Sequence, residues 1–205
     1  MPRFTFGPVR SRRLGISLGV NNVPYKTCTY SCIYCQLGRT TNLTIERREF
    51  YKWEEVVESV VRSVEELESR IDYVTFVPDG EPLLDKNIGL EIEAIKKKTG
   101  IPVAVITNAS LLFMDECRRD VAEANVVSLK LDAVSEEVWK KVNRPHPKLK
   151  LGEILSGVVE FSKEYRGRLI TETMLVKGFN DERRELEKIA SFLRVLSPYK
   201  AYISI

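Results

Sequence analysis

The chain has 205 residues, of which 43% are hydrophobic and 30% charged, a balance typical of a globular protein. Its 32 Lys and Arg residues against 29 Asp and Glu residues leave a net charge of +3, too small an excess to predict nucleic-acid binding from charge alone. No apolar run reaches the ~18–20 residues that span a bilayer, and the first residues do not resemble a signal peptide, so we expect a cytoplasmic protein without a membrane partner.

Strands and helices alternate along most of the chain. Residues 1–25 form an irregular lead-in, and we place one strand ahead of the first cysteine. From Trp53 to Leu67, valines recur three and four residues apart, which predicts an amphipathic helix. A short β-rich run from Ile71 to Val77 then ends at a Pro-Asp-Gly turn.

The rest of the chain continues this alternation. We predict helices at 87–99, 114–123, 135–142, 151–165 and 182–196, and strands at 103–107, 126–131, 169–176 and 200–205. About six strand–helix steps with nearly continuous apolar strands predict a parallel sheet covered by helices. Periodicity alone does not choose between an open doubly wound sheet and a partial barrel.

No internal repeat or linker divides the sequence, so we expect residues 1–205 to form a single domain. The last residues, Tyr202 to Ile205, belong to an apolar strand without a polar tail. We therefore expect the natural protein to continue into a C-terminal extension.

The four cysteines divide into a cluster of three and one that stands alone. Cys28, Cys32 and Cys35 lie within eight residues, and without a secretory signal this spacing favours metal or redox chemistry over disulfides. Cys117 falls on an apolar helical stripe and is expected in the core, and His146, between two prolines, is expected in a solvated loop. Three ligands with an open position favour an iron–sulfur site over a closed zinc site.

The segment from Cys28 to Cys35 resembles the cluster loop of the radical S-adenosylmethionine (SAM) superfamily, whose motif is C-x3-C-x-aromatic-C, with Tyr34 as the aromatic residue. The later sequence Pro78-Asp79-Gly80-Glu81-Pro82 is similar to the Gly-Gly-Glu-Pro loop of that superfamily. The sequences of residues 7–15 and 77–82 further resemble those of the wyosine-synthase-type branch of the superfamily. That lineage carries a second iron–sulfur cluster on N-terminal cysteines, and no cysteine precedes Cys28 in this sequence.

The resemblance implies a partial (β/α)6 TIM-like barrel of parallel strands with helices outside. It also implies that Cys28, Cys32 and Cys35 bind a [4Fe–4S] cluster whose open iron chelates SAM. One electron from a flavodoxin- or ferredoxin-like reductant would then cleave SAM to a 5′-deoxyadenosyl radical that abstracts hydrogen from a substrate. The substrate (RNA, protein or small molecule) and any further catalytic residue are not specified by the motifs.

Two other functions remain open at this point. An iron–sulfur electron-transfer or sensor protein would hold a cluster without SAM turnover and would need a fourth ligand such as Cys117. A zinc-stabilised binding module would contain zinc and neither iron nor sulfide.

The resemblance also implies which residues contact SAM. Gly80 would let the backbone approach the methionine amino group, Glu81 and Pro82 would shape that loop, and Tyr34 would present its backbone and ring to the adenine.

Strand parity adds candidates that do not depend on the family. Ser128, Lys130 and Asp132 share one face of an otherwise apolar strand, where polar groups are costly unless they line a pocket or meet partners. Lys130 and Asp132 are therefore candidates to bind SAM, and an internal Lys–Asp ion pair is the alternative.

The ends of the neighbouring strands carry further polar residues. Thr171 and Thr173 share a face of the following strand, whereas Asn108 and Lys177 come after strands, where ligands of parallel sheets collect. The loop 143–147 either caps the pocket or is a plain connector.

Basic residues form one more group. We expect six of them near the cysteine loop, where they weakly favour an anionic partner, although a solvated surface is the more usual meaning of such residues: Arg10, Arg12, Arg13, Arg39, Arg47 and Arg48.

Overall fold

A computed structural model describes residues 3–67 and 70–205. Met1 and Pro2, which begin the predicted lead-in, lie outside the described residues, as do Glu68 and Ser69.

The described elements follow the predicted alternation of strands and helices. In chain order they are β1 (Thr5–Ser11), β2 (Gly15–Val20), β3 (Thr27–Cys28), β4 (Asn42–Leu43), α1 (Trp53–Glu66), β5 (Tyr73–Phe76), a 3₁₀ turn (Pro82–Leu84), α2 (Ile88–Thr99), β6 (Val103–Thr107), α3 (Asp115–Ala122), β7 (Val126–Lys130), α4 (Glu136–Asn143), α5 (Leu151–Glu164), β8 (Arg168–Met174), α6 (Arg183–Leu196) and β9 (Lys200–Ser204).

Seven strands form the main sheet in the order β1-β2-β5-β6-β7-β8-β9. The six strands from β2 to β9 are parallel to one another, and β1 runs antiparallel to β2. The sheet curls into a half-barrel with the helices outside, which confirms the predicted partial (β/α)6 barrel and excludes the open doubly wound alternative.

The β1–β2 hairpin was not predicted. Five of the seven residues of β1 are exposed, so the strand lacks the alternation of buried and exposed residues that makes an amphipathic strand recognisable.

The two faces of the sheet differ in chemistry. The convex face packs against the helices through fully buried side chains such as Leu18, Phe76 and Val105, each of which contributes about 1.5–3 kcal/mol by leaving water. On the concave face, a smaller cluster of Leu14, Ala104, Val126 and Ile170 fills the amino-terminal half of the barrel.

The carboxyl half of the concave face is charged. Lys130 of β7 lies opposite Glu172 of β8 in the parallel register, and their side chains approach to 4.0 Å. The prediction that the face of Lys130 points into the barrel therefore agrees with the structure.

Thr171 and Thr173 share one face of β8, as predicted, and this is not the face that lines the barrel. Thr171 lies on the helix side of β8, against residues of α5, and Thr173 Oγ1 donates to the carbonyl of Leu131 at 2.8 Å. Glu172, between them, is the residue of this stretch that faces the barrel.

Within residues 3–67 and 70–205, no helix has both the length and the apolar character needed to cross a membrane.

Candidate functional site

The cysteine loop lies at the carboxyl edge of the sheet, directly after β2. Its two ends are joined by the short parallel pair β3–β4, in which Cys28 lies opposite Leu43. Inside the loop, Cys35 N donates to Cys32 O at 3.1 Å. All three cysteines are partly exposed free thiols.

Helix α4 and the segment after it brace this loop. Ile33 N donates to Val142 O at 2.9 Å, and His146 N donates to Thr29 O at 2.9 Å. The buried Tyr30 accepts a hydrogen bond from the indole of Trp139 at 3.0 Å. The loop 143–147 is therefore a structural brace for the cysteines, rather than only a connector.

Two asparagines donate toward the thiol sulfurs. Asn108 Nδ2 lies 3.5 Å from Cys28 Sγ, and Asn143 Nδ2 lies 3.5 Å from Cys32 Sγ. Hydrogen bonds of this kind stabilise a metal-bound thiolate and tune its redox potential. Asn108 was among the predicted site residues, whereas Asn143 was noticed only as part of a loop.

Two of the three thiols have a raised pKa because they are buried. Burial raises the pKa of Cys28 to about 12, with a further contribution from the carboxylate of Glu81. Burial likewise raises the pKa of Cys32 to about 11. Binding of a metal centre must therefore displace protons from both sulfurs.

The arrangement does not fit a single metal ion. Among the residues that the structure describes, no three His, Cys, Asp or Glu side chains converge closely enough to bind one ion. Cys117 is fully buried in the core, 4.0 Å from the sulfur of Met114, and His146 Nδ1 accepts from Lys148 N at 3.3 Å. Cys117 therefore lies in the core and His146 in a partly exposed loop, as the sequence predicted. Among the described residues, neither Cys117 nor His146 adds the fourth ligand that a closed zinc site on the three cysteines would need.

The loop after β5 is hydrogen-bonded to the residues at the start of the cysteine loop. Lys26 N donates to Asp79 O at 2.7 Å, and Glu81 N donates to Thr27 O at 3.0 Å. Gly80 packs against the backbone of Thr27. The two sequence motifs that carry the family resemblance are thus bonded to each other.

Glu81 organises this loop through its side chain. Its carboxylate accepts from Leu83 N at 3.1 Å, from Asn108 N at 2.8 Å and from the hydroxyl of Thr107. Burial raises the pKa of Glu81 to about 7, although all three donors act to lower it. Pro82 is buried as the first residue of the 3₁₀ turn. Both side chains therefore face the protein interior and position the loop.

Tyr34, Lys130 and Asp132 come together on the concave side of the sheet. Lys130 Nζ lies 4.9 Å from the centre of the Tyr34 ring and 3.8 Å from Asp132 Oδ1. The internal ion pair that was the alternative reading of Lys130 is thus present, and the lysine keeps partial exposure toward the barrel.

The side chain of Asp132 is held by hydrogen bonds from three other residues of the protein. Its carboxylate accepts from Met174 N and from Asn143 Nδ2, each at 2.8 Å, and from the hydroxyl of Tyr34. Asp132 thereby holds Tyr34 and Asn143 in place, and its direct contact with the cofactor stays a prediction.

Sequence reasoning missed Glu172 and its partner Arg13. The guanidinium of Arg13 binds the Glu172 carboxylate in bidentate fashion, at 2.7 and 3.0 Å. Burial acts to raise the pKa of Glu172, but Arg13 and Lys130 outweigh it and the pKa lies below its ordinary value. A glutamate inside a buried strand was the signal that could have identified it.

Most of the six basic residues do not surround the cysteine loop. Arg10, Arg12 and Arg13 lie at or next to the β1–β2 turn, where β2 starts, and from there the Arg13 guanidinium extends to Glu172 on the concave face. Arg47 is buried in ion pairs with Glu116 and Asp120.

Arg39 is exposed in the segment that follows Cys35 and is the one of the six that the prediction placed correctly beside the cysteines. Arg48 is exposed after β4 and stacks over Phe50 at 4.8 Å. Lys177, the other lysine candidate, is exposed in the turn after β8.

The sequence profile of the radical SAM superfamily matches residues 22–193. This range contains the cysteine loop, the Gly80–Pro82 loop and all the parallel strands from β5 to β8. The chain therefore belongs to the radical SAM superfamily, as the motifs predicted.

Among sequence relatives, a UPF0026 protein of Methanocaldococcus jannaschii is 48% identical over 200 residues, which cover 97% of this chain. The same alignment covers 62% of that relative, so this chain spans less than two thirds of its length.

Two solved structures share the fold. TYW1 with a lysine–pyruvate adduct bound superimposes with a TM-score of 0.69 at 16% identity, over 92% of this chain and 65% of that one. Native anSMEcpe with bound AdoMet gives a TM-score of 0.66 at 19% identity, over 92% and 50% of the two chains.

Proposed function

We propose that this chain is a radical SAM core that binds a [4Fe–4S] cluster through Cys28, Cys32 and Cys35. The observation that carries the proposal is the donor set: three partly exposed thiols share one loop, and amide groups are directed at two of them. Three thiolates leave one iron without a protein ligand, which is where SAM would bind. When bound and reduced, the cluster supplies one electron that cleaves SAM to methionine and a 5′-deoxyadenosyl radical, which abstracts hydrogen from a substrate.

The chain's own residues prepare the site for this chemistry. Asn108 and Asn143 donate to the thiolate sulfurs and favour their deprotonated form. The backbone of the Gly80–Glu81 loop would hold the methionine end of SAM, and the buried Glu81 and Pro82 keep that loop in place.

Lys130 supplies the positive charge for the SAM carboxylate at the carboxyl end of β7. The ring of Tyr34 lies beside the ammonium group, and Asp132 fixes the tyrosine hydroxyl. The assigned roles are thus binding for Lys130 and Tyr34, and positioning for Asp132.

The proposal is tested by anaerobic reconstitution with iron and sulfide, followed by incubation with SAM and dithionite. We expect about four irons per chain by elemental analysis and formation of 5′-deoxyadenosine. Cys32→Ala should lose both, whereas the matched core variant Cys117→Ala should keep both. A stable cluster without 5′-deoxyadenosine would instead identify an electron-transfer or sensor protein, and one zinc without sulfide would identify a zinc module.

A further inference from the structure

A groove of about 680 Å³ runs along the outer side of the cysteine loop, between that loop and the end of α4. We call it the basic groove. The polar residues that define it are Ser31, Arg39, Thr40, Lys140, Arg144 and His146.

The basic groove carries positive charge without internal neutralisation. Its lining contains no Asp or Glu. Arg39 and Arg144 are exposed, and neither forms an ion pair within residues 3–67 and 70–205. Lys140 is paired with Glu136, one turn earlier on the same exposed helix face, at 3.0 Å. An anionic surface placed here would therefore meet two cations, Arg39 and Arg144, that have no ion-pair partner among the described residues.

The wall of the groove is the peptide segment that carries the thiols. Ser31, in the lining, is bonded directly to Cys32, and its N–H donates to the carbonyls of Asn143 and Arg144 at 3.0 and 3.1 Å. Asn143 in turn reaches the sulfur of Cys32 through its side chain. A partner in the groove is therefore separated from a proposed cluster ligand by a single residue of backbone.

The groove is separate from the proposed SAM site. None of Tyr34, Gly80, Glu81, Asn108, Lys130 or Asp132 lines it. A substrate must bring a C–H bond to the SAM side of the loop, inside the half-barrel. An electron donor, in contrast, only has to come close to the cluster, and it can do so from outside the half-barrel.

We propose that the basic groove is the docking site of an acidic one-electron carrier protein, a flavodoxin or a ferredoxin, that reduces the cluster. This inference rests on the proposed function. In the step itself, one electron leaves the reduced carrier and enters the oxidised cluster, and no covalent bond forms or breaks. Opposite charges on two such surfaces accelerate encounter and make the rate fall with ionic strength, and electron-transfer complexes use small interfaces of this kind.

The test compares two charge variants of the full chain, each loaded with its cluster. Arg39→Glu/Lys140→Gln removes charge from the groove. Arg166→Glu/Lys97→Gln makes the same change in net charge at exposed positions that precede β8 and β6, at the opposite end of the sheet. The measurement is the rate at which cluster absorbance bleaches on mixing with photoreduced flavodoxin or ferredoxin, without SAM.

We expect the groove variant to be reduced at least tenfold more slowly than the wild type at low salt, and the control variant to match the wild type. Reduced methyl viologen, a cationic small molecule, should reduce all three proteins at rates within twofold. High salt should remove most of the difference between the wild type and the groove variant. Arg144→Asn gives a second groove variant, since asparagine tolerates the left-handed backbone found there at φ 45°.

Equal rates with the carrier protein for the groove variant and the wild type would overturn the docking proposal. So would loss of RNA binding by the groove variant with electron transfer intact, because the groove would then be a nucleic-acid surface. Failure of the wild type to cleave SAM with methyl viologen would count against the proposed function, while the bleaching rates would still report on docking.

Discussion

Gly80 lies so close to Thr27 that a Cβ atom on the glycine would sit 1.9 Å from the threonine carbonyl oxygen. That oxygen also accepts the hydrogen bond from Glu81 N. The glycine therefore allows the loop after β5 to bond to the residue that precedes Cys28. From the sequence, Gly80 was expected to let the backbone approach SAM. In the structure, it also lets the backbone of this loop approach the cysteine loop.

We expect Gly80→Ala to separate the two loops and to prevent stable retention of the cluster. The loss should show as fewer than one iron per chain after reconstitution and gel filtration. Gly152→Ala is the matched control, because nothing lies within 4 Å of the added methyl group and alanine favours a helix by up to about 1 kcal/mol over glycine. A Gly80→Ala protein with full iron content and wild-type stability would contradict the proposed contact.

Asn143 links a cluster ligand to the SAM side of the site, so its removal should have two effects. Asn143→Ala leaves Asp132 with one fewer donor, which we expect to cost about 1–3 kcal/mol of unfolding free energy. It also removes a hydrogen bond to Cys32 Sγ, which should lower the reduction potential of the cluster.

Urea unfolding and a redox titration followed by electron paramagnetic resonance measure these two effects. Asn42→Ala, which removes an exposed amide that reaches Thr27 Oγ1 and no cysteine sulfur, should leave the reduction potential unchanged. An unchanged potential in Asn143→Ala would argue against a role for this amide at the sulfur.

Lys130 should determine SAM affinity rather than folding. Replacement by methionine keeps the length of the side chain, and Glu172 retains its bidentate partner Arg13. A charge-assisted hydrogen bond contributes about 1.5–3 kcal/mol, so the Kd of SAM for the cluster-loaded protein should rise by about 10- to 150-fold. Equilibrium dialysis measures this change. Lys177→Met, at the exposed lysine after β8, should bind SAM like the wild type, and equal affinities in both variants would remove Lys130 from the site.

A buried acid in α2 should make stability depend on pH. Glu91 is fully buried, neither of its carboxylate oxygens has a hydrogen-bond partner of good geometry among the described residues, and the nearby Asn22 side chain only partly offsets the burial. Burial, followed by the charge of Asp85, raises its pKa well above the ordinary 4.5, and burial also raises the pKa of Asp85 to about 7. A raised pKa in the folded state stabilises the protein at low pH, and this stabilisation is lost as the pH rises.

Glu91→Gln should therefore flatten the decline of unfolding free energy that sets in as the pH rises above about 4.5, the ordinary pKa of a glutamate. The free energy is measured by urea unfolding at each pH. Glu93→Gln, at an exposed position of the same helix, should keep the wild-type slope. Parallel slopes in the wild type and Glu91→Gln would show that Glu91 does not carry the effect.

Local patterns in the sequence were enough to predict the parallel strands, the outer helices and the cysteine loop. Val103–Thr107 forms a strand with the predicted boundaries, because an uninterrupted apolar run bounded by turn residues can only be buried. The half-barrel itself came from the family resemblance, since curvature leaves no periodic signal.

The site was harder to predict because its contacts join distant parts of the chain. Lys130 could be assigned to the barrel by parity within one strand, but its pairing with Glu172 depends on the register between two strands. Asn143 is the last residue of α4, and nothing in the sequence indicates that its side chain reaches Cys32. The burial of Arg47 likewise depends on Glu116 and Asp120, which are far away in sequence.

The two asparagines that donate to the thiols come from late in the chain, 80 residues after Cys28 and 111 residues after Cys32. During synthesis, the three cysteines emerge long before β6 and α4 can pack against them. The nascent loop therefore consists of ordinary thiols, and the environment that suits an iron–sulfur cluster arises only when most of the half-barrel has folded. We therefore expect insertion of the proposed cluster to follow the folding of most of the half-barrel.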